Sequence, residues 1–283
     1  MFLIPLGVYI LVLFGYPLYY SVSMSFKNLN QITLINGNAN FVGFQNYIQA
    51  WSSSIIWRSF LNTIQFTVVS IIMQFVIGLL VALLFNRRFP LNRVLRSLIL
   101  VPWLIPQIVS GAIFNWMFSS TNGVVNQILL DLHIVSTPVN WLLHPESALI
   151  VMMITNIWIG VPFNMVLLYS GLQDIPREIY EAAAIDGARG VRSFFYVTLP
   201  NLKVIIGIVL MLGLIYTLKV FDIVMSLTQG GPANMTQLLS SWSYTLSFTN
   251  LNFGQGAAVA NGLIVISLVF TAIYLWINRK TAD

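Results

Sequence analysis

Few side chains in this sequence can do chemistry, and those inside its apolar stretches carry amides and hydroxyls rather than charge. Gln65, Gln74, Gln107, Ser110, Asn115, Asn156, Asn164 and Asn261 sit within or near long apolar runs. Each can donate and accept hydrogen bonds, and each is costly to leave facing lipid. They are expected to face other helices, as hydrogen-bonding groups between them, or a wet pathway. Gln74, Gln107, Asn156, Asn164 and Asn261 are the candidates for lining such a pathway. Together they suit a polar, uncharged solute, because no run carries a charge near its midpoint.

Other chemistries find little support. The absence of cysteine removes disulfides, thiolate nucleophiles and cysteine metal sites. His133 and His144 are the only imidazoles, and they fall in a polar stretch where structural roles are expected. No catalytic or metal-binding set is assigned. There is no G-x-x-x-x-G-K-[ST] segment to cradle phosphates, so the chain is expected to bind neither nucleotide nor any other cofactor itself. Lys219 and Asp222 stand three residues apart, a spacing that lets them pair across one helical turn at a membrane interface. An ion relay would need such charges at depth.

The elements that must position these groups are membrane helices. Of the 283 residues, 58% are hydrophobic and only 7% charged, with a mean hydropathy of +0.84. Soluble domains carry about 25% charged residues, so this chain cannot supply a soluble surface. Apolar runs lie at about 3–23, 62–85, 97–118, 148–170, 203–225 and 256–277, each long enough to cross roughly 30 Å of hydrocarbon. The first contains Pro5 but no basic leader or clear cleavage site, and it is longer than a signal-peptide core. It is therefore read as a span, with a short preceding leader compatible with its abrupt start. Pro102, Pro106 and Pro162 are expected to bend their helices. The fold class is all-α, a single polytopic membrane domain over 1–283 with six spans.

Six spans place both termini on one side, and the charges orient them. Arg87, Arg88, Arg93, Arg96, Arg177, Arg189, Arg192, Lys203, Arg279 and Lys280 fall on that side, against Lys27, Arg58 and Lys219 on the other. This bias marks the first face as cytoplasmic. The net charge of +5 is thereby explained without nucleic acid, since the bases flank spans rather than forming a stripe.

The loop over 171–202, between the fourth and fifth spans, is far longer than a plain connection needs. Asp174 can cap a helix whose first turn holds Pro176 and Glu178. Arg177 and Glu181 can pair across a turn. Ala182, Ala183 and Ala184 favour helix without bulk, and Gly187 permits a reversal that a side chain would oppose. A second helix follows with Val191, Phe194 and Phe195 available for packing, and Leu199 and Pro200 end it. The composition fits a docking element for a protein or an amphipathic segment resting on lipid.

Within that loop, Glu181-Ala182-Ala183, then Gly187, then Val197-x-Leu199-Pro200 resembles the EAA signature of binding-protein-dependent ABC importer permeases, with Val197 where isoleucine is commonest. The longer string from Ile175 to Ala188 is similar to the carbohydrate branch, including permeases for maltose and glycerol 3-phosphate. Phe41-Val42-Gly43-Phe44-Gln45-Asn46-Tyr47, Pro102-Trp103-Leu104-Ile105-Pro106 and Thr228-Gln229-Gly230-Gly231-Pro232 with Thr236 extend the likeness over about residues 3–279. The resemblance implies a non-enzymatic permease subunit of a bacterial inner membrane, forming half of a sugar pathway. It implies contact with an ATPase through Glu181, Ala182, Ala183, Gly187, Leu199 and Pro200. Gly230, Gly231 and Pro232 would lie on the external side near a solute-binding protein. The implied partners are a second homologous permease, two cytoplasmic ATPase subunits that use the ATP, and that binding protein. The residues alone also admit an ion-coupled secondary transporter or a non-transporting membrane scaffold; the former would need charged sites at depth and repeated broken helices.

Overall fold

The structure, a computed structural model, describes residues 3–282, with side chains described for 4–276. The side chains of Arg279 and Lys280, counted above among the bases of one face, lie outside the described residues. The principal helices are α1 (Ile4–Ser25), α2 (Ser54–Phe85), α3 (Asn92–Leu104), α4 (Gln107–Met117), α5 (Pro145–Gln173), α6 (Arg177–Ile185), α7 (Val191–Asn201), α8 (Lys203–Leu218), α9 (Asp222–Leu227), α10 (Leu239–Tyr244) and α11 (Phe253–Ala282). Among the described residues no β-strand forms; backbone bridges join Lys27 to Phe41 and Asn30 to Asn252.

Four helices, α1, α2, α5 and the described part of α11, are long and apolar enough to cross a membrane unbroken, and two bent pairs raise the number to as many as six. The third run is the first of those bent pairs; the second joins α7, from the loop before the fifth run, to α8 within that run. α3 and α4 meet at 96°. The break falls at Ile105-Pro106, where proline has no N–H to give and drives the preceding residue into extended backbone, here φ −78°, ψ 133°. Pro102 sits in the first turn of its short helical segment, where its missing donor costs nothing. Pro162, in contrast, lies inside α5 without interrupting it.

The fifth run is shorter than expected. α8 stops at Leu218, and the chain restarts as α9 at Asp222. Lys219 and Asp222 therefore do not share one helix face. Lys219 instead places its ammonium over the Tyr216 ring, 5.0 Å from the centroid.

The chain divides into two compact units, residues 1–63 with 229–273, and residues 64–228 with 274–283. The core of the first unit gathers Ile56, Leu239, Trp242, Leu246 and Val259 around Trp51 and Phe60. Asn46 ties its loops down by donating to the carbonyls of Ser25 (2.9 Å) and Lys27 (2.8 Å). The core of the second unit is formed by Leu79, Ala82 and Phe85 of α2, Met165, Leu168 and Leu172 of α5, Ile175, and Leu202 and Val209 around the start of α8. It holds the two features that matter most for function.

Candidate functional site

The first feature is the helical hairpin α6–α7. α6 starts at Arg177 after Pro176, without a side-chain cap. Asp174, expected to cap it, closes the end of α5 instead. Gly187 reverses the chain at φ +80° and Gly190 at φ +59°, so the turn uses left-handed backbone twice. A Cβ on Gly187 would meet open space; the conformation, not crowding, calls for glycine there.

The wide turn Phe194–Thr198 closes with Leu199 N–H donating to the Phe194 carbonyl. Leu199 and Pro200 stand in the last helical turn of the segment, which ends at Asn201, as expected to within one residue. The helix bends only between Asn201 and Lys203, by 68°. Tyr180 Oη lies 3.1 Å from Thr198 Oγ1 and links the two arms. Tyr180 and Phe194 also pack on the core of the unit, where Leu202 is fully buried at the bend. The outward surface carries Glu181, Ala182 and Gly187, with Ala183 half-buried, Leu199 half-buried and Pro200 exposed. Ile185 and Val191 are 87% and 74% exposed, an apolar pair beside charged neighbours.

The second feature is a cavity of about 220 Å³ lined by Gln74, Trp103, Gln107, Asn156, Ile159, Gly160, Phe163, Asn164, Gly213, Tyr216 and Thr217. Four of the five pathway candidates thus meet in one place. Gln74 donates through Nε2 to the main-chain carbonyl of Asn156 (2.9 Å). It crosses α5 at Gly160, where a Cβ would collide with its side-chain amide. Asn164 donates to the Gly160 carbonyl (2.9 Å). Asn156 is 5% exposed, and its Nδ2 has no hydrogen-bond partner.

Aromatic rings make up another part of the wall. Trp103 and Phe163 are 5.6 Å apart, and Phe163 meets Tyr216 edge-on at 6.0 Å. The lining therefore offers amide donors and acceptors beside π faces, with no carboxylate, arginine or lysine. Sequence reasoning did not select these rings, although Trp103 stands between the two prolines of its motif. Asn156, Gly160 and Phe163 recur at helical spacing on α5, a pattern that points to one face.

The remaining polar candidates serve elsewhere. Asn261 lies in the first unit and is tied to Ser21, accepting from its hydroxyl at 3.0 Å and donating to its carbonyl at 3.3 Å. Asn115 donates to the Leu227 carbonyl (2.9 Å), and Ser110 is buried. Gln65 is exposed on α2.

Gly230, Gly231 and Pro232 form a tight loop in the first unit. Thr236 N–H donates to the Gly230 carbonyl (3.2 Å) and Met235 N–H to the Pro232 carbonyl (2.9 Å). Asn62 clamps the far end by donating to the carbonyls of Met235 (2.8 Å) and Gln237 (3.1 Å). Asn62 and Gln237, neither singled out from the sequence, hold this loop in shape.

Comparison with known proteins agrees with this architecture. Residues 74–283 match the family described as binding-protein-dependent transport system inner membrane component. The trehalose/maltose transport system permease protein MalF of Thermococcus litoralis is 38% identical over 86% of this chain and 81% of its own length. The diacetylchitobiose uptake system permease protein DasB of Streptomyces coelicolor is 34% identical over 99% of this chain and 86% of its own. A chain from the crystal structure of a bacterial ABC transporter involved in import of the acidic polysaccharide alginate superposes with a TM-score of 0.87. It is 21% identical and covers 100% of this chain and 95% of its own, a likeness of fold.

Proposed function

The chain belongs to the family of inner membrane components of binding-protein-dependent transport systems, and we propose that it forms one half of the pathway of an ATP-driven importer for neutral sugars. The observation that carries the cargo is the cavity lining. Sugar hydroxyls need paired donors and acceptors, and their C–H faces suit aromatic rings; Gln74, Gln107, Asn156 and Asn164 supply the first, Trp103, Phe163 and Tyr216 the second. The Nδ2 of Asn156 is an unpartnered donor behind the cavity wall, closed to solvent in this conformation and available to a solute once the wall opens. A buried amide left so costs about 1–3 kcal/mol, which a bound hydroxyl would offset.

Coupling follows from continuity of the backbone. α5 leads into α6 at one end of the hairpin and α7 leads into α8 at the other. α5 carries Asn156, Phe163 and Asn164 to the cavity, and α8 carries Gly213, Tyr216 and Thr217. Gly213 stands ten residues beyond Lys203, about 15 Å along a helix rising 1.5 Å per residue. A force on α6–α7 therefore reaches the cavity through two helices. In this reading a cytoplasmic ATPase grips Glu181, Ala182, Ala183 and Gly187 and drives the hairpin as it binds and hydrolyses ATP. The chain itself binds no cofactor. A second permease completes the pathway, and a solute-binding protein docks outside near Gly230–Pro232. The pathway would alternate between an outward-open and an inward-open conformation that differ in affinity for these partners, which is what allows nucleotide to bias the equilibrium.

The test is reconstitution of the chain with its co-purified subunits in proteoliposomes. ATP-dependent uptake of a neutral disaccharide, requiring the loaded binding protein, is the expected result. Uptake that ignores ATP but collapses with an ionophore would overturn the coupling, and uptake confined to charged solutes would overturn the cargo.

A further inference from the structure

A second and larger cavity in the same unit has no part in the sugar pathway described above. It holds about 910 Å³ and is walled by Arg87, Arg88, Arg93, Arg96 and Arg177, while no aspartate or glutamate lines it. The arginines converge because the chain is folded back on itself. Beyond the end of α2, Asn92 Nδ2 donates to the carbonyls of Phe85 (2.9 Å) and Arg87 (2.7 Å), and Leu91 takes φ +62°. Arg87 and Arg88 before this turn are thereby set close to Arg93 and Arg96 after it. Gln173 donates its amide to the side-chain oxygen of Asn86, fixing the turn to the end of α5. Arg96 is held over the Tyr169 ring, 4.6 Å from the centroid. Arg177, on α6, completes the wall.

Five guanidiniums around one cavity are a repulsive arrangement. Like charges gathered in one cavity oppose each other, the more strongly the less water screens them. An anion relieves that, and guanidinium matches a phosphate with paired hydrogen bonds. The surroundings indicate where the phosphate comes from. Leu91, Val94, Leu95 and Leu98, interleaved with Arg93 and Arg96, are 70%, 55%, 42% and 58% exposed. This is an amphipathic segment with an unpartnered apolar side, beginning where the membrane-length helix α2 ends. That is headgroup depth, and Phe85, Phe89 and Leu172 in the cavity wall offer apolar surface beneath the charges.

We propose that this arginine-lined cavity binds the phosphate headgroup of an anionic phospholipid from the adjoining leaflet. The proposal rests on α2 spanning the membrane and is independent of the cargo; because Arg177 and Tyr180 belong to α6, the ATPase contact is followed as a separate readout. The full chain, purified with its partner subunits, would be exchanged into mixed micelles of phosphatidylglycerol and phosphatidylcholine and its retained lipid measured by native mass spectrometry. The wild-type chain is expected to retain phosphatidylglycerol at least tenfold over phosphatidylcholine. Arg93→Gln with Arg96→Gln should remove most of that preference, while Lys27→Gln, exposed in the first unit and outside both the cavity and the hairpin, should leave it intact. Equal retention of the two lipids by the wild-type chain sinks the proposal whether or not any variant folds. Displacement of phosphatidylglycerol by millimolar inorganic phosphate would reassign the cavity to a free anion. Loss of the ATPase subunit from the Arg93, Arg96 variant with lipid preference unchanged would reassign it to a protein contact. Sugar uptake could fail with this lipid preference intact, or persist without it, so the two readings are separable.

Discussion

At the scale of single residues, Asn156 is the most informative side chain because its buried Nδ2 has no partner. Replacing Asn156 with leucine removes a donor that nothing within the chain uses. Thermal stability should therefore hold or rise, while the solute loses one hydrogen bond. Such a bond is worth about 0.5–1.5 kcal/mol net, or roughly two- to tenfold in half-saturation of sugar uptake. Unchanged uptake kinetics would remove Asn156 from the solute contacts. Gly187 supports a second test. Its φ of +80°, with open space at the Cβ position within this chain, predicts an order led by backbone preference at the turn, with side-chain size entering only through the ATPase surface that meets it. Gly187→Asn should couple ATP hydrolysis to uptake nearly as well as the native residue, since asparagine visits this conformation. Gly187→Ala should cost about 1 kcal/mol at the turn, and Gly187→Val more. Equal coupling ratios for asparagine and valine would exclude this explanation. The amides were legible in the sequence because polarity in an apolar run is rare; their partners were not. Asn156 and Asn261 look alike in context, yet one lines a cavity and the other is tied to Ser21.

At the scale of elements, the hairpin α6–α7 was readable from alanines, glycine and length, and Pro200 marks its end to within one residue, at Asn201. Pro106 broke its run and Pro162 did not, a difference that proline itself does not encode. Under the proposed coupling, force passes through the bend between α7 and α8, packed around Leu202, which is fully buried among Leu168, Leu172 and Ile175. Leu202→Ala should leave a cavity costing about 2–5 kcal/mol, read as a lower unfolding midpoint. It should also loosen the joint, so that ATP hydrolysis by the assembled transporter continues while uptake per ATP falls. The volume-conserving Leu202→Met should restore most of both. A Leu202→Ala protein that loses stability yet keeps full uptake per ATP would show that the bend is structural only.

At the scale of the whole molecule, composition settled membrane residence, and the structure explains where the apolar surface goes. None of the α1 window is buried, and residues such as Leu11, 69% exposed, present it outward. In water such a surface would aggregate; in a bilayer it is simply solvated. Which side is which depends on the charge bias alone, and the chain offers a direct way to check it. It contains no cysteine, so single introduced thiols report their own surroundings. Ile185→Cys, at an 87% exposed position on the hairpin, and Ser52→Cys, at the exposed end of the short helix Gln45–Ser52 that precedes α2, should behave oppositely. A membrane-impermeant maleimide should label Ser52→Cys in intact spheroplasts and Ile185→Cys only in inverted vesicles. The arginines that crowd the end of α2 should follow Ile185, because a hydrophobic span cannot readily carry so many guanidiniums across. If Ile185→Cys reacts from outside, the hairpin is out of reach of cytoplasmic ATP and the coupling mechanism fails, even with the fold and the cavity unchanged.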